Sequence, residues 1–307
     1  MVVFVTGGGL GFVGGHVVSA LRARGHEVRA GYVDVLDGAA LERAMRGCDA
    51  LVHVAALYSY DRRDAPALAR VNIEGTRTVL AAAARAGVGR IVHTSTAGTC
   101  GPVPGRPATE SDGPPDRELA IPYKRTKLEA ERLALAAGAV VVNPTTPVGE
   151  GDTRPTPTGA MIRALAAGRY RGYLPRTGLN VVDVHDVAAG HALALERGRG
   201  GERYLLGGTD LALGEFFALV AQAAGRRRPR LRVPYPAAQA AAALGLVNAD
   251  EVALARLPMF FSSEKAEREL GYRRSAIEPA IARAAASAIG APTRSARLTR
   301  DGAGRPG

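Results

Sequence analysis

The sequence predicts an α/β fold: a doubly wound parallel sheet with a smaller, discontinuous C-terminal lobe for a substrate. Three observations predict it. A strand, a glycine loop and a helix fill the first 24 residues, four short apolar runs alternate with helical stretches up to about residue 150, and that alternation is lost afterwards.

The first element is the run Val2-Val3-Phe4-Val5, which reads as a buried strand. After the loop T-G-G-G-L-G-F-V-G, the spacing of Val13, Val17, Val18 and Leu21 reads as a helix that docks one face. A helix N-terminus offers unpaired N–H groups and the positive end of a dipole, and both attract a pyrophosphate. Gly8, Gly11 and Gly14 have the spacing in which one glycine turns the chain, one lets backbone approach phosphate and one lets helix meet strand. This is a Rossmann dinucleotide site, with Phe12 and Val13 in the first turn of its helix.

The first helix ends near Arg24-Gly25, and His26 to Ala30 begins a second strand. Only Gly31 separates Ala30 from the strand-like pair Tyr32-Val33, too little for a crossover between parallel strands. Either a unit has been removed here, or His26 to Val33 is one strand. On the second reading Asp34 lies 20 positions after Gly14, where a carboxylate takes the ribose diol and favours NAD; on the first, Asp34 and Val35 are adenine-side contacts. NAD(H) and NADP(H) both stay open.

A short helix at Leu41 to Arg46 precedes the strand at 50–56, which ends in Val54, Ala55 and Ala56, small enough for backbone to pass under a cofactor. His53 within it reads as a packed core residue rather than a catalyst. A long helix is expected over 65–86, then a strand at 90–94 that runs into Ser95-Thr96-Ala97-Gly98-Thr99.

Tyr123-Lys124-Arg125-Thr126-Lys127 opens a helix to about Ala137, and residues four apart share a face. A phenol with a pKa of about 10 is a poor acid–base group at neutral pH until an ammonium stabilises its phenolate. Of the 40 basic residues only Lys124, Lys127 and Lys265 are lysines, so a lysine four places after Tyr123 stands out.

Beyond Gly149 the segment Gly151 to Gly159 reads as a loop over the site. Helices are expected at Met161 to Gly168, Leu213 to Gly225, Ala237 to Leu244, Glu264 to Leu270 and Glu278 to Ile289. Val181-Val182 and Tyr204-Leu205-Leu206 read as strands that return to the sheet. The expected division is therefore 1–150 for the dinucleotide, with 179–208 returning to it, and 151–178 with 209–290 for the substrate. Tyr58 and Pro258-Met259-Phe260-Phe261 are candidates for an apolar wall.

The net charge of +11 invites a nucleic-acid reading. It gathers at Arg226 to Arg232 and in the tail 291–307, which is expected to be disordered, and no aromatic residues interleave with the arginines as a strand-binding groove requires. A solvated basic surface is the expectation, with no nucleic-acid partner. No apolar run is long enough to span a bilayer, and the first residues are needed as a strand rather than as a secretory leader. Cys48 and Cys100 make no disulfide framework and no metal spacing; no metal is expected, and a reducing cytoplasm fits.

The loop T-G-G-G-L-G-F-V-G, H-V-A-A, V-N-I-E-G-T, T-S-T-A-G-T and Y-K-R-T-K occur in the order of the extended short-chain dehydrogenase/reductases. The resemblance continues through V-V-V-N-P-T-T-P-V-G at 140–149, L-N-V-V-D-V-H-D-V-A at 179–188, G-E-R-Y-L-L-G-G at 201–208 and F-F-S-S-E-K-A-E-R-E-L-G-Y at 260–272, and it covers roughly residues 2 to 290. More narrowly the chain resembles the branch with hopanoid-associated sugar epimerases and dihydroflavonol-reductase-like proteins. The resemblance implies a triad: Thr96 holds the substrate oxygen, Tyr123 exchanges its proton, and Lys127 binds the nicotinamide ribose. It implies that Asn143, Pro144 and Thr146 lie near nicotinamide and substrate, and that two copies pair through the helices at 65–86 and 120–137.

The chain departs from that family in three places. The glycine loop is one residue longer between Thr6 and Gly11, the segment after Ala30 is shorter by about a helix, and Leu179-Asn180 stands where sugar-nucleotide epimerases often carry an arginine. The last departure argues against a sugar nucleotide, because a bidentate clamp on its pyrophosphate is lost, although Arg154, Arg163 or Arg176 could substitute. The expected function is NAD(P)-dependent hydride transfer between nicotinamide and a secondary alcohol or ketone. The alternatives are a nucleotide-sugar epimerase or dehydratase that recycles its NAD, and a non-catalytic dinucleotide-binding regulator, for which loss of the Tyr123 hydroxyl would be silent.

Overall fold

The computed structural model describes residues 1–9 and 11–290; the tail at 291–307 lies outside the described residues. Among the described residues eleven strands run in chain order: β1 (Val2–Thr6), β2 (Glu27–Ala30), β3 (Ala50–His53), β4 (Arg90–Thr94), β5 (Val140–Pro144), β6 (Thr146–Val148), β7 (Gly172–Tyr173), β8 (Gly178–Asp183), β9 (Arg203–Leu206), β10 (Thr209–Ala212) and β11 (Leu231–Arg232). The helices are α1 (Phe12–Ala23), α2 (Gly38–Met45), α3 (Ala65–Leu68), α4 (Gly75–Arg85), α5 (Pro122–Ala136), α6 (Pro157–Ala166), α7 (Val184–Arg197), α8 (Leu213–Ala223), α9 (Tyr235–Ala243), α10 (Ala249–Leu254), α11 (Glu264–Leu270) and α12 (Ile277–Gly290).

The run Val2 to Val5 is apolar at every position because both faces of β1 are covered. Val3 and Val5 pack with Val17, Val18 and Leu21 of α1 and with α7, while Phe4 packs with Leu41, Met45 and Val79 of α2 and α4. The main sheet is parallel in the order β2-β1-β3-β4-β5-β9, so the chain reverses its direction of travel between β1 and β3. Ligands of such sheets bind beyond the strand ends at that reversal. A second sheet in the order β10-β8-β6 packs through Val148 and Val181 on Phe216 and Phe217 of α8, Ile162 of α6 and Ile281 of α12.

Several expectations are corrected. β2 stops at Ala30 and Tyr32 is 82% exposed, so His26 to Val33 is not one strand, and among the described residues nothing pairs beyond β2. This is the removed-unit reading. Only β9 returns to the main sheet; β8 is the centre of the second one, and β6, placed before residue 150, belongs there too. The helix expected at 65–86 contains a π-helical segment at Ala69–Glu74. Helix α7 was not expected at all. Its buried positions Val184, Val187, Ala188, His191, Ala192 and Leu195 follow helical spacing, while His185 on the other side is exposed.

Candidate active site

The glycine loop turns at Gly7, not at Gly8: Gly7 has φ of +71°, and its amide plane sits against Ala55, whose Cα would be 3.1 Å from a Cβ at that position. The extra loop residue was the signal for this shift. Gly8 is instead needed for packing, since a Cβ there would stand 2.7 Å from Val18 Cγ2. Gly14 keeps its expected role, for a Cβ would lie 2.4 Å from the Gly7 carbonyl oxygen and push α1 off the loop. Thr6 Oγ1 accepts from the Val54 and Ala55 amides at 3.1 and 3.2 Å and fastens the end of β3 beside the loop.

Helix α1 starts at Gly11 with no side-chain cap and no acidic residue in its first turn, where Phe12, Val13 and Gly14 stand. Its N–H groups are left for an anion. Asp34 lies on the connector after β2, exposed, and accepts from the Leu36 amide at 3.0 Å. The Val35 side chain is buried against Gly75 and the α2 core, so only its backbone remains to meet an adenine. His53 is structural as expected: Nδ1 meets Thr6 Oγ1 at 2.8 Å and Nε2 meets Thr76 Oγ1 at 3.1 Å.

Tyr123 and Lys127 lie one turn apart on α5, which Pro122 starts. The Lys127 ammonium, buried, donates to the Thr94 carbonyl at 2.8 Å, at the end of β4. The phenol is not pulled down as expected. Burial pushes Tyr123 up, the Tyr58 phenol adds to this, and the Thr96 hydroxyl opposes it; Lys127 takes no part. Burial also lowers Lys127 to about 8, against the pull of the Glu131 carboxylate.

This carries a pH prediction. The folded value of Lys127 lies below the unfolded one, so the unfolded chain binds more protons between about 8 and the ordinary lysine value of 10.5. Stability of the wild type relative to Lys127→Met is therefore expected to rise across that window and to be flat below it. Denaturant unfolding of both proteins from pH 7 to 11 measures it, and a falling difference would contradict the burial of a charged lysine.

Thr96 caps the short 3-10 turn Ala97–Thr99, accepting from the Gly98 amide at 3.2 Å. A buried network that sequence reasoning missed supports that turn from behind. Glu131 Oε2 accepts from Thr99 Oγ1 at 2.7 Å and from Asn143 Nδ2 at 2.8 Å, and Arg203 pairs with Oε1 at 3.0 Å. Glu131 is one more step in the four-residue spacing of Tyr123 and Lys127, a signal present in the sequence. Asn143, expected beside the substrate, is fully buried and donates to the Thr96 carbonyl at 3.2 Å, so it positions the Thr96 turn. Asn72 in the π-helical segment clasps Leu57, accepting from its amide at 2.8 Å and donating to its carbonyl at 3.0 Å.

The aromatic wall is different from the expected one. Tyr58 stacks on Tyr123 with ring centroids 4.4 Å apart, and Tyr60, not foreseen, meets Tyr123 edge-on at 5.8 Å. Met259 packs with Ala97, Cys100 and Phe261. Phe260 lies over Gly178, where a Cβ would be 2.6 Å from its ring. The Met259 to Ser262 stretch is stitched to β8 by Asn180 N to Met259 O and to the segment after β4 by Ala108 N to Phe260 O. Met259 and Phe260 thus join the lobes. Pro144 ends β5 buried beside Leu206, and Thr146 begins β6.

The NAD dependent epimerase/dehydratase family model matches residues 3–207. The chain belongs to that family. A putative dihydroflavonol 4-reductase of Synechocystis is 37% identical, with 91% of this chain and 92% of that one covered. A 4-hydroxy-2-methyl-3-oxo-4-farnesyl-3,4-dihydroquinoline-1-oxide ketoreductase of Stigmatella aurantiaca is also 37% identical, over 88% and 91%. The crystal structure of a nucleoside-diphosphate-sugar epimerase from Pseudomonas aeruginosa superposes with a TM-score of 0.78 at 28% identity, covering 94% and 97%.

As a member of the NAD dependent epimerase/dehydratase family, the chain is an enzyme that uses a nicotinamide dinucleotide. The residues fit that group. The uncapped α1 N-terminus leaves N–H groups that would meet a phosphate, and Ser95 Oγ and Thr145 Oγ1, buried hydroxyls without partners among the described residues, stand where β4 and β5 end. No described helix of this family member is long and apolar enough to cross a membrane.

Proposed function

We propose that the protein is a ketoreductase that moves a hydride between NAD(P)H and a secondary alcohol or ketone on an apolar, planar substrate. The observation that carries this reading is the setting of the Tyr123 phenol: its ring stacks on Tyr58 and meets Tyr60 edge-on, and the Thr96 hydroxyl works against the upward push of burial on it. When bound, the cofactor supplies or takes the hydride. Gly11, Phe12, Val13 and Gly14 hold its pyrophosphate, Val54, Ala55 and Ala56 pass under it, and Lys127 and Pro144 meet its nicotinamide half. Tyr123 protonates the carbonyl oxygen, Thr96 donates a hydrogen bond to it, and Tyr58 presents a face to a planar substrate. The names of the Synechocystis and Stigmatella relatives point the same way.

Asn180 stands where a clamp on a sugar nucleotide would be. It is buried, donating through Nδ2 to Asp210 at 2.6 Å and accepting at Oδ1 from the Gly208 amide at 2.7 Å, which leaves it nothing for a pyrophosphate. The test is turnover of NADPH with a panel of aromatic and polyketide ketones. Stoichiometric loss of NADPH is expected. The second reading, a nucleotide-sugar epimerase, is favoured by the likeness to the Pseudomonas structure and predicts epimerised product with no net loss of cofactor. Tyr58→Ala is expected to raise KM for an aromatic ketone by ~3–10-fold with little change in kcat, the worth of one aromatic contact. An unchanged KM would remove Tyr58 from the substrate wall.

The cofactor is proposed to be NADPH at least as readily as NADH. β2 ends in Arg29-Ala30 with no carboxylate at its tip to repel a 2′-phosphate, and Asp34 is turned into its own connector. Titration with each cofactor is expected to give NADPH a dissociation constant no weaker than that of NADH. A preference of ~10-fold or more for NADH would return Asp34 to the ribose diol.

A further inference from the structure

Away from the Tyr123 cleft, three distant segments bring nitrogen and oxygen donors together: His16 in the second turn of α1, Glu150 after β6, and His185 in the first turn of α7. We propose that His16 Nε2, Glu150 Oε1 and His185 Nε2 bind one divalent cation of the zinc type, with water as fourth ligand.

The donor atoms lie within 4.8 Å of one another. His185 Nε2 is 2.8 Å and His16 Nε2 is 3.8 Å from Glu150 Oε1, distances that bracket the ~3.3 Å between ligands of tetrahedral zinc with bonds of about 2.0–2.1 Å. The two imidazoles stand nearly perpendicular, at 86°, with centroids 4.9 Å apart; in the metal-free protein His185 Nε2 donates its proton to Glu150 Oε1, and a bound cation would take the place of that proton, which is released to solvent.

The outer contacts are those a metal site uses to orient its ligands. His16 Nδ1 lies 2.9 Å from the Phe12 carbonyl, which accepts its proton and leaves Nε2 as a free lone pair. That Nε2 makes no hydrogen bond among the described residues, since 3.8 Å to Glu150 is too long for one. Arg283 Nε holds Glu150 Oε2 at 2.8 Å, so Oε1 is the oxygen that faces the imidazoles. Asp183, which also pairs with Arg283, accepts from the His185 amide at 3.0 Å and sets the start of α7.

Two imidazoles and one carboxylate suit zinc, cobalt or nickel better than magnesium or calcium, which take oxygen ligands. Partial exposure of Glu150 and His185 leaves an entry path. A bound ion would tie the helix that carries the glycine loop to the end of β6 in the second sheet and to α7.

The test is titration of the tag-free, chelator-treated full chain with zinc chloride by calorimetry, and with cobalt(II) followed by its visible absorption. One equivalent is expected to bind. His16→Gln and His185→Gln are each expected to weaken binding by ~100-fold or more, beyond the loss usual for an outer-shell partner. His16→Gln gives up the Phe12 carbonyl contact and the edge-on ring contacts with Phe12 and His185, so its metal-free unfolding midpoint is measured as its own baseline; zinc should raise the midpoint of the wild type and leave that of the variant where it stands. No zinc binding by the wild type, or binding that both variants retain, overturns the proposal. Turnover is not the readout, so either result leaves the role of Tyr123 untouched.

Discussion

Tyr123→Phe is expected to lower kcat by ~10²–10⁴-fold while leaving NADPH affinity within a few-fold, the loss usual for a positioned general acid. The phenol stacks on Tyr58 and meets Tyr60 edge-on, and the Thr96 hydroxyl opposes the upward push of burial on it. Phenylalanine keeps the stack on Tyr58 and removes only the oxygen, so the ring contact and the proton are separated in one substitution. Parallel measurement of kcat, KM and cofactor affinity is the check. If kcat survives, the proton comes from elsewhere and Tyr123 is part of the wall. If the protein still carries out its cellular role with turnover abolished, a dinucleotide-binding regulator is the better reading.

Lys124→Met is expected to cost about 3–5 kcal/mol of stability, the usual effect of stranding one partner of a buried ion pair. Lys124 and Glu118 are each 2% exposed and face one another, and the same ammonium donates to the Gly101 carbonyl at 3.0 Å. With Lys124 gone the Glu118 carboxylate keeps its desolvation penalty without compensation. The double variant Lys124→Met with Glu118→Leu should regain most of the loss, because an apolar pair of similar volume replaces the ions without a stranded charge. Denaturant unfolding of the three proteins decides it. Equal stability of the single and double variants would mean that the Gly101 contact, not the ion pair, is what Lys124 provides. Neighbouring lysines on one helix thus have different duties: Lys124 ties α5 to the Gly101 loop, and Lys127 faces the end of β4.

Much of this was legible because it is local. The strand, glycine loop and helix of the first 24 residues follow from apolar period and backbone freedom, and Tyr123 and Lys127 share a face by helical spacing alone. His53 reads correctly as a core residue because an imidazole in a run of buried residues needs partners rather than solvent. Features that depend on what lies across the fold were not legible. Val181 looks like any central strand, yet it joins the second sheet, because the choice between sheets rests on pairing with β6 and β10. Helix α7 is the exception, since Val184, Val187, Ala188, Ala192 and Leu195 carry helical spacing in the sequence itself. Asn143 carries the same polarity whether it meets a ligand or a carboxylate, and only the position of Glu131 on the neighbouring helix decides for the carboxylate.

By itself the sequence determined the parallel α/β architecture, the place of the glycine loop between β1 and α1 and the face of α5 that carries Tyr123 and Lys127, all properties of short spacings. The tertiary structure alone decided that Gly7 makes the turn, that β2 ends the sheet without a carboxylate, that Tyr58 and Tyr60 enclose the phenol and that Lys127 answers to Thr94. The physical reason is that burial, pKa and the choice of hydrogen-bond partner are set by groups far apart in the chain, whose meeting no spacing along it records.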